Sequence, residues 1–481
     1  MNKRMVFRTI GRLLQITALL LLVPAVVAVV YGETKQLLAF AVTALGSLLL
    51  GFLISLVTRT KNRVIYAKDG FVITACAWIM MAVVGALPFV ITREIPSYVD
   101  AIFETVSGFT TTGASILSDV ESMSRSMLFW RSFTHWIGGM GVLVFVMAII
   151  PNFTDRSIHI MRAEMPGPII GKLVPRVKDT AKILYLIYIF LTALQVLLLY
   201  VGGMPLFDSL VHTFGTAGTG GFGIKADSIA SYNPYCQWVI AIFMLIFGVN
   251  FNIYYLLLLR RIRTALKSSE LWYYILIVFS SIALVTINIM PIYKNFAVSL
   301  RASVFQVASI VSTTGYATTD FNVWPGLSKA ILLLLMFSGA CAGSTAGGLK
   351  VSRIVMLFKS VGRELRRLLH PRSVAKIQFE GKPIEDSTLN SVCMYFVIYM
   401  ICFFAMFLLI AFEPFGLETN FSAVAACFNN IGPGFEAVGP ASNYSAYTDF
   451  SKIILSFAML LGRLEIFPMI IMLSPRTWLK K

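Results

Sequence analysis

Four short stretches of this chain carry residue types and spacings suited to holding a bare cation with backbone oxygen. They read Ser107-Gly108-Phe109-Thr110-Thr111-Thr112-Gly113-Ala114, Phe214-Gly215-Thr216-Ala217-Gly218-Thr219-Gly220-Gly221-Phe222-Gly223, Ser309-Ile310-Val311-Ser312-Thr313-Thr314-Gly315-Tyr316 and Asn429-Asn430-Ile431-Gly432-Pro433-Gly434-Phe435. Aligned by eye, Gly113, Gly220, Gly315 and Gly434 occupy matching places at unequal intervals. Glycine takes positive φ without a Cβ clash, so successive carbonyls can turn to one side of the chain. A column of inward carbonyl oxygens can replace the hydration shell of an alkali ion. The ligands would be the backbone of Thr111, Thr112 and Gly113, of Gly218, Thr219 and Gly220, of Thr313, Thr314 and Gly315, and of Gly432, Pro433 and Gly434. A single run of this kind is an ordinary turn. The inference comes from the set of four, and its chemistry is ion binding with no acid–base or covalent step.

The elements that must position these runs are written in the composition. Of 481 residues, 57% are hydrophobic and 13% charged, about half the charged share of a soluble domain. This excludes a disordered chain, a disulfide-rich secreted protein and a soluble enzyme. Six cysteines (Cys76, Cys236, Cys341, Cys393, Cys402 and Cys427) lie singly in apolar stretches, with no metal or disulfide spacing. The histidines are scattered, and no Walker-type loop is present, so neither an organic cofactor nor ATP hydrolysis is expected.

Ten apolar segments are predicted as transmembrane helices: 10–31, 35–58, 70–92, 126–150, 182–202, 234–258, 271–292, 327–358, 391–412 and 449–473. At ~1.5 Å per residue each can cross a hydrocarbon core of ~30 Å. Basic residues gather at alternate ends, before the first segment, after the second, over 156–182, 260–267 and 350–382, and at the C-terminus. The positive-inside rule makes these places, and both termini, cytoplasmic. The net charge of +17 is thus a topology signal, with anionic lipid as a secondary partner and no nucleic acid implied. No small-residue cleavage site follows the first segment, which is expected to be a retained helix.

Each Gly-rich run follows a half-length segment on the outer side: 100–108, 206–213, 302–311 and 421–430. The repeating unit is helix, short re-entrant helix, Gly-rich loop, helix. Such backbone is tolerated at membrane depth only where it is buried in protein or lines a wet cavity, and four copies around an axis supply one. The negative dipole ends of the short helices would add to the potential there. The predicted fold is all-α integral membrane, with an N-terminal helix pair (1–66) and pore repeats at 67–155, 156–265, 266–372 and 373–481. Asp119, Glu121, Asp227, Asp320 and Glu436 follow the runs and form either a cation-concentrating rim or a merely solvated one.

Two features inside the spans are unusual. The eighth segment contains Ser338-Gly339-Ala340-Cys341-Ala342-Gly343-Ser344-Thr345-Ala346-Gly347-Gly348, whose glycines weaken a helix by up to ~1 kcal/mol each. Close packing of small residues is one account; an unwound loop at Gly343, Ser344, Thr345, Ala346, Gly347 and Gly348 that obstructs the path is the other. Arg463 lies within the last span, and an intramembrane charge needs a partner. Glu465, two residues on, faces elsewhere on a straight helix. Arg463 is expected to face the path and bond the 343–348 loop; snorkelling or pairing with helix-end carbonyls is the alternative.

With Ser107 to Ala114, Trp136-Ile137-Gly138-Gly139-Met140-Gly141, Ala217 to Phe222, Ala340 to Gly348 and Gly462-Arg463-Leu464-Glu465 in view, the chain resembles TrkH-type members of the Trk/Ktr/HKT superfamily of K⁺ transporters. The likeness covers nearly the whole length. It implies a pseudo-fourfold pore within one subunit, K⁺ as the transported ion, homodimers, an intramembrane gating loop and a cytosolic nucleotide-binding (RCK-type) regulatory ring, in a bacterial inner membrane. Glycine at all four aligned positions implies K⁺ rather than Na⁺. Gly218 and Gly432 depart from the family's Thr-x-Gly pattern, and Pro433 removes an amide. The basic segments 151–181 and 350–390 are the expected docking surface for the ring. A secondary transporter of an organic solute, with alternating access, is the competing function; such folds carry inverted repeats and one or two discontinuous helices. A membrane enzyme would need convergent His, Asp or Glu in the spans.

Overall fold

A computed structural model describes residues 1–60, 66–141, 177–372 and 376–479. Residues 142–176, with the basic residues from Arg156 and most of the expected docking segment 151–181, lie outside the described residues. Helices α1 (Lys3–Val30) and α2 (Thr34–Val57) pair, crossing where Gly11 and Gly51 bring the two backbones together. Four units follow, each a long helix, a short helix, a Gly-rich loop and a second helix. They are α3 (Ala67–Thr92), α4 (Tyr98–Phe109) and α5 (Arg125–Gly139); α6 (Val177–Val201), α7 (Leu206–Gly218), α8 (Pro234–Phe247) and α9 (Phe251–Leu258), then a one-turn α10 (Ile262–Leu266); α11 (Ser269–Tyr293), α12 (Phe296–Val311), α13 (Gly326–Ser338) and α14 (Val351–Leu369). A two-stranded hairpin, β1 (Gln378–Phe379) and β2 (Lys382–Pro383), leads into α15 (Asp386–Ile410), α16 (Leu417–Phe428), α17 (Asp449–Arg463), α18 (Phe467–Leu473) and α19 (Pro475–Trp478).

Among the described residues, six helices are long and apolar enough to cross a bilayer: α1, α2, α3, α6, α11 and α15. The pair α8 and α9 makes a seventh if counted as one span, although it bends by 91°. Among the described residues, the expected segments 234–258, 327–358 and 449–473 are each broken within their length, and for 327–358 a break at the glycine-rich stretch is one of the two expectations. Every second helix stops partway: α5 at Gly139, α8 at Phe247, α13 at Ser338 and α17 at Arg463. Side chains and backbone conformation account for the stops. Asn250 caps α9 by accepting from the Asn252 amide at 2.9 Å, and Glu465 and Ile466 take φ of 56° and 64° between α17 and α18. A left-handed residue cannot continue a right-handed helix, yet hydropathy passes over it unnoticed. Residues 142–150 of the fourth expected span lie outside the described residues.

The short helices close a ring. Besides the second helix of its own unit, each packs on the second helix of the unit before it: α7 on α5, α12 on α8, α16 on α13, and α4 on α17. Their ends repeat one device. Thr111, Thr219, Thr313 and Asn430 take φ of 55–57°. Each donates its amide three residues back, and the next amide reaches five back: Thr112 to Ser107 (2.9 Å), Gly220 to Gly215 (2.8 Å), Thr314 to Ser309 (2.8 Å) and Ile431 to Ala426 (2.8 Å). This is the Schellman termination, which satisfies helix-end carbonyls with a left-handed residue.

One residue further on, Gly113, Gly221, Gly315 and Gly432 again have positive φ, between 74° and 97°. The matching glycines are therefore Gly221 and Gly432, not Gly220 and Gly434, because backbone conformation rather than letter spacing sets the register. A Cβ on any of the four would lie under 3.0 Å from a carbonyl oxygen of the next loop. Gly113 meets Gly220, Gly221 meets Thr314, Gly315 meets Ile431, and Gly432 meets Thr112, which closes the circle. Gly434 has no such role: the atoms nearest to a Cβ there belong to Val438 and Ser422 of its own unit. Gly432→Ala is thus expected to lower the melting temperature of the purified protein clearly more than Gly434→Ala, because a left-handed L-residue costs roughly 1–2 kcal/mol before any clash is added. Equal shifts in a thermal unfolding assay would contradict this register.

Candidate functional site: a carbonyl ring above a glycine loop

Thr111, Thr112, Thr219, Gly220, Thr313, Thr314, Asn430 and Ile431 are all buried. Their amides are spent on the helix ends, while their carbonyls accept no hydrogen bond from any described residue. A buried carbonyl without a partner costs free energy, and native chains leave few of them. Here such groups are gathered from all four units at one level. On one side lies a cavity of about 150 Å³, lined by Gly113, Gly221, Gly315 and Gly432 together with Pro433 and Tyr444. This arrangement can coordinate a desolvated cation. Of the expected ligands, Gly218 is the last residue of α7, and Pro433 lies beyond the ring turn on the cavity wall. Gly434 lies further out, its amide bonded to the Val438 carbonyl at 2.7 Å.

The ring is braced from outside. Glu104 accepts from the Arg131 Nε at 2.8 Å, the Ile116 amide at 3.0 Å and the Ser115 hydroxyl at 3.0 Å. Arg131 also donates to the Gly223 carbonyl at 3.2 Å and lies over the Phe222 ring, 4.1 Å from its centroid. This buried ion pair ties the exits of the first two loops; removing one partner of such a pair costs about 3–5 kcal/mol. Tyr316 donates to the Phe222 carbonyl at 3.2 Å and Tyr444 to the Gly432 carbonyl at 2.8 Å. The Asn430 amide group links the fourth loop to the first through the Thr112 hydroxyl at 2.9 Å. Asp119, Glu121, Asp227, Asp320 and Glu436 are all exposed, and Glu436 pairs with Lys329 at 3.4 Å.

Beneath the ring the chain between α13 and α14 is unwound. Its Gly347 amide donates to the Thr313 hydroxyl at 2.7 Å, so the loop is hooked directly onto a ring turn. Arg463 donates to the Thr345 carbonyl at 2.7 Å and to the Gly138 and Gly139 carbonyls at 2.5 and 2.8 Å. Both expected partners, loop and helix-end carbonyls, are thus engaged at once. Glu465 turns away and pairs with Arg353 at 2.6 Å. A cavity of about 40 Å³ remains here, lined by Gly343, Ser344, Ala346, Gly347, Gly348, Lys350, Arg463 and Glu465 among others.

Three contributors escaped the sequence reading. Lys350 is buried and donates back to the Ala346 and Gly347 carbonyls. Asn250 sits at the break between α8 and α9, and the following Phe251 amide donates to the Gly343 carbonyl at 3.1 Å. The Glu104–Arg131 pair completes the set. Charges embedded in apolar or glycine-rich surroundings were the available signal for Lys350 and Arg131; nothing local marks Asn250.

The chain matches the family model described as "TrkH: Cation transport protein" over residues 39–479. It is 35% identical to the Trk system potassium uptake protein TrkH of Escherichia coli K12, covering 99% of this chain and 100% of the relative. The TrkH of Halomonas elongata is 32% identical over 100% of both chains. The crystal structure of the potassium transporter TrkH from Vibrio parahaemolyticus superposes with a TM-score of 0.89 at 32% identity, covering 100% of both chains. With its glycine-ringed helix ends and its family match along nearly all of its length, this chain is a multi-pass membrane protein of the TrkH family of cation transport proteins.

Proposed function

We propose that this protein takes up K⁺ through a pore along the axis of the four short helices. The observation that carries the reading is the closed set of carbonyls at residues 111–112, 219–220, 313–314 and 430–431 that no described residue bonds. Such oxygens can replace K⁺ hydration, and the short helices end beside them with their negative dipole poles. The glycines beyond the carbonyls keep the turns close enough to share one ion. The relatives' names point to potassium as the cargo.

The 343–348 loop is the gate in this reading. It sits under the ring, hooked to Thr313 and held by Arg463. A fixed positive charge about 5 Å from a passing cation raises its energy by about 3 kcal/mol at an effective dielectric constant near 20. Arg463 therefore acts twice, as a brace on the loop and as an electrostatic barrier. Both termini and the basic segments face the cytoplasm of a bacterial inner membrane, where anionic lipid meets the basic rim. The functional unit is a homodimer regulated by a cytosolic nucleotide-binding ring, which docks on the face carrying α14 and the β1–β2 hairpin.

Rb⁺ uptake into proteoliposomes tests the pore. K⁺ should compete strongly, Na⁺ less and amino acids not at all, while Gly113→Ser should lower the K⁺-to-Na⁺ preference several-fold. Competition by an amino acid but not by K⁺ would favour a solute transporter instead. Separately, Arg463→Ala or deletion of 343–348 should raise Rb⁺ flux at equal protein content; unchanged flux in both would remove the gate.

A further inference from the structure

The unwound loop is anchored at a point remote from Arg463. Glu270, in the first turn of α11, is buried, and its Oε1 accepts from the Ala342 amide at 2.7 Å and the Ser352 amide at 3.1 Å. These amides flank the 343–348 segment: one opens the loop, and the other belongs to the first turn of α14. A single carboxylate oxygen thus clamps both ends of the loop, and it supplies the acceptor that the start of α14 lacks, since Lys350 caps it with no side-chain bond. A negative charge at that point also complements the helix dipole.

Glu270 is itself held. Its backbone amide donates to Glu380 Oε1 at 3.0 Å, and so does the Ser268 hydroxyl at 3.0 Å. Glu380 occupies the turn of the β1–β2 hairpin with φ of 51°, and the turn is exposed. The hairpin's body is fixed by the buried Ile377 and Phe379, and Lys359 of α14 donates to the Gln378 carbonyl at 2.8 Å. Two carboxylates therefore stand in series, Glu380 on the first turn of α11 and Glu270 on the loop.

We infer that Glu270 and Glu380 form a latch that positions the glycine loop, with the exposed hairpin turn as the handle by which force on the inner face reaches it. Neither residue lies on the ion path; both act through the loop. Displacing the hairpin turn withdraws Glu380, frees the start of α11 and slackens the Glu270 clamp. The inference rests on the reading of the loop as the gate, and the following test separates the two.

Cys341 adjoins the clamped Ala342 amide and is fully buried, which makes it a native reporter of loop position. The full-length protein in proteoliposomes is treated with a small maleimide, and peptide mass mapping scores labelling at Cys341 alone, with Rb⁺ flux measured in parallel. Glu380→Ala, an exposed substitution, removes the acceptor of both the Glu270 amide and the Ser268 hydroxyl and should raise the labelling rate at least about fivefold, the factor carried by one lost hydrogen bond. Glu380→Gln, which keeps the acceptor, should stay near the parent rate. Glu270→Ala should exceed Glu380→Ala, and the double variant should match Glu270→Ala, because groups acting in series do not add. Labelling that rises with Arg463→Ala but with neither glutamate variant would overturn the latch. Equal effects of Glu380→Ala and Glu380→Gln, or additive effects in the double variant, would also overturn it. Raised labelling at unchanged flux would keep the latch and sink the gate. Glu380→Ala keeps the test decisive if Glu270→Ala does not fold.

Discussion

The structure depends on a steric exchange repeated around a circle: a missing Cβ in one loop is the space taken by a carbonyl oxygen of the next. The exchange runs through Gly113, Gly221, Gly315 and Gly432 and returns to its start. It fixes how far apart the short helices stand, and so how the carbonyls of residues 111–112, 219–220, 313–314 and 430–431 are grouped. A side chain at any one glycine would push two loops apart and disturb the whole circle. Close packing makes such an interface discrete rather than gradually deformable.

Everything outside the circle holds it in that state. The long helices α3, α6, α11 and α15 carry the apolar surface, and the short helices lie between them with polar ends inward. The braces differ between units. Glu104, seven residues before the left-handed Thr111, engages a buried arginine. The matching residue in the second unit is His212, bonded to Tyr232 at 3.2 Å, and in the third Gln306, bonded to the Thr319 carbonyl at 3.2 Å. In the fourth it is the apolar Ala423. Backbone geometry is thus fourfold while its support is not. Among the described residues the inner loop is the longest interruption of a second helix; Arg463, Thr313 and Glu270 tie it to three different elements, while Lys350 bonds it back from its own end.

Much of this is legible in the sequence. Hydropathy located the long helices, because a continuous apolar run has few alternatives to a buried or membrane-crossing helix. The half-length segments ahead of the glycine runs stood out as α4, α7, α12 and α16 with shifts of a few residues at their ends. Arg463 was readable because a charge amid leucine and methionine demands partners. The alignment of the second and fourth loops was not readable. Gly220 and Gly434 offered themselves by spelling, whereas the register belongs to left-handed Thr219 and Asn430, and only Asn430 is of a type that favours that conformation. The breaks after α8 and α17 were hidden because Val249, Leu464 and Ile466 keep hydropathy high through bends made by backbone conformation, an extended Asn250 in one and left-handed Glu465 and Ile466 in the other. The clamp by Glu270 was hidden because its partners are amides, which leave no trace in side-chain patterns.

In the proposed pore an ion sits among those carbonyls. Anomalous diffraction from crystals of the intact protein equilibrated with Tl⁺ or Rb⁺ tests it most directly. A peak is expected on the axis, enclosed by the oxygens of residues 111–112, 219–220, 313–314 and 430–431, which weakens as K⁺ is added back. Peaks confined to the outer carboxylates, with nothing on the axis in protein that still transports the ion, would contradict it.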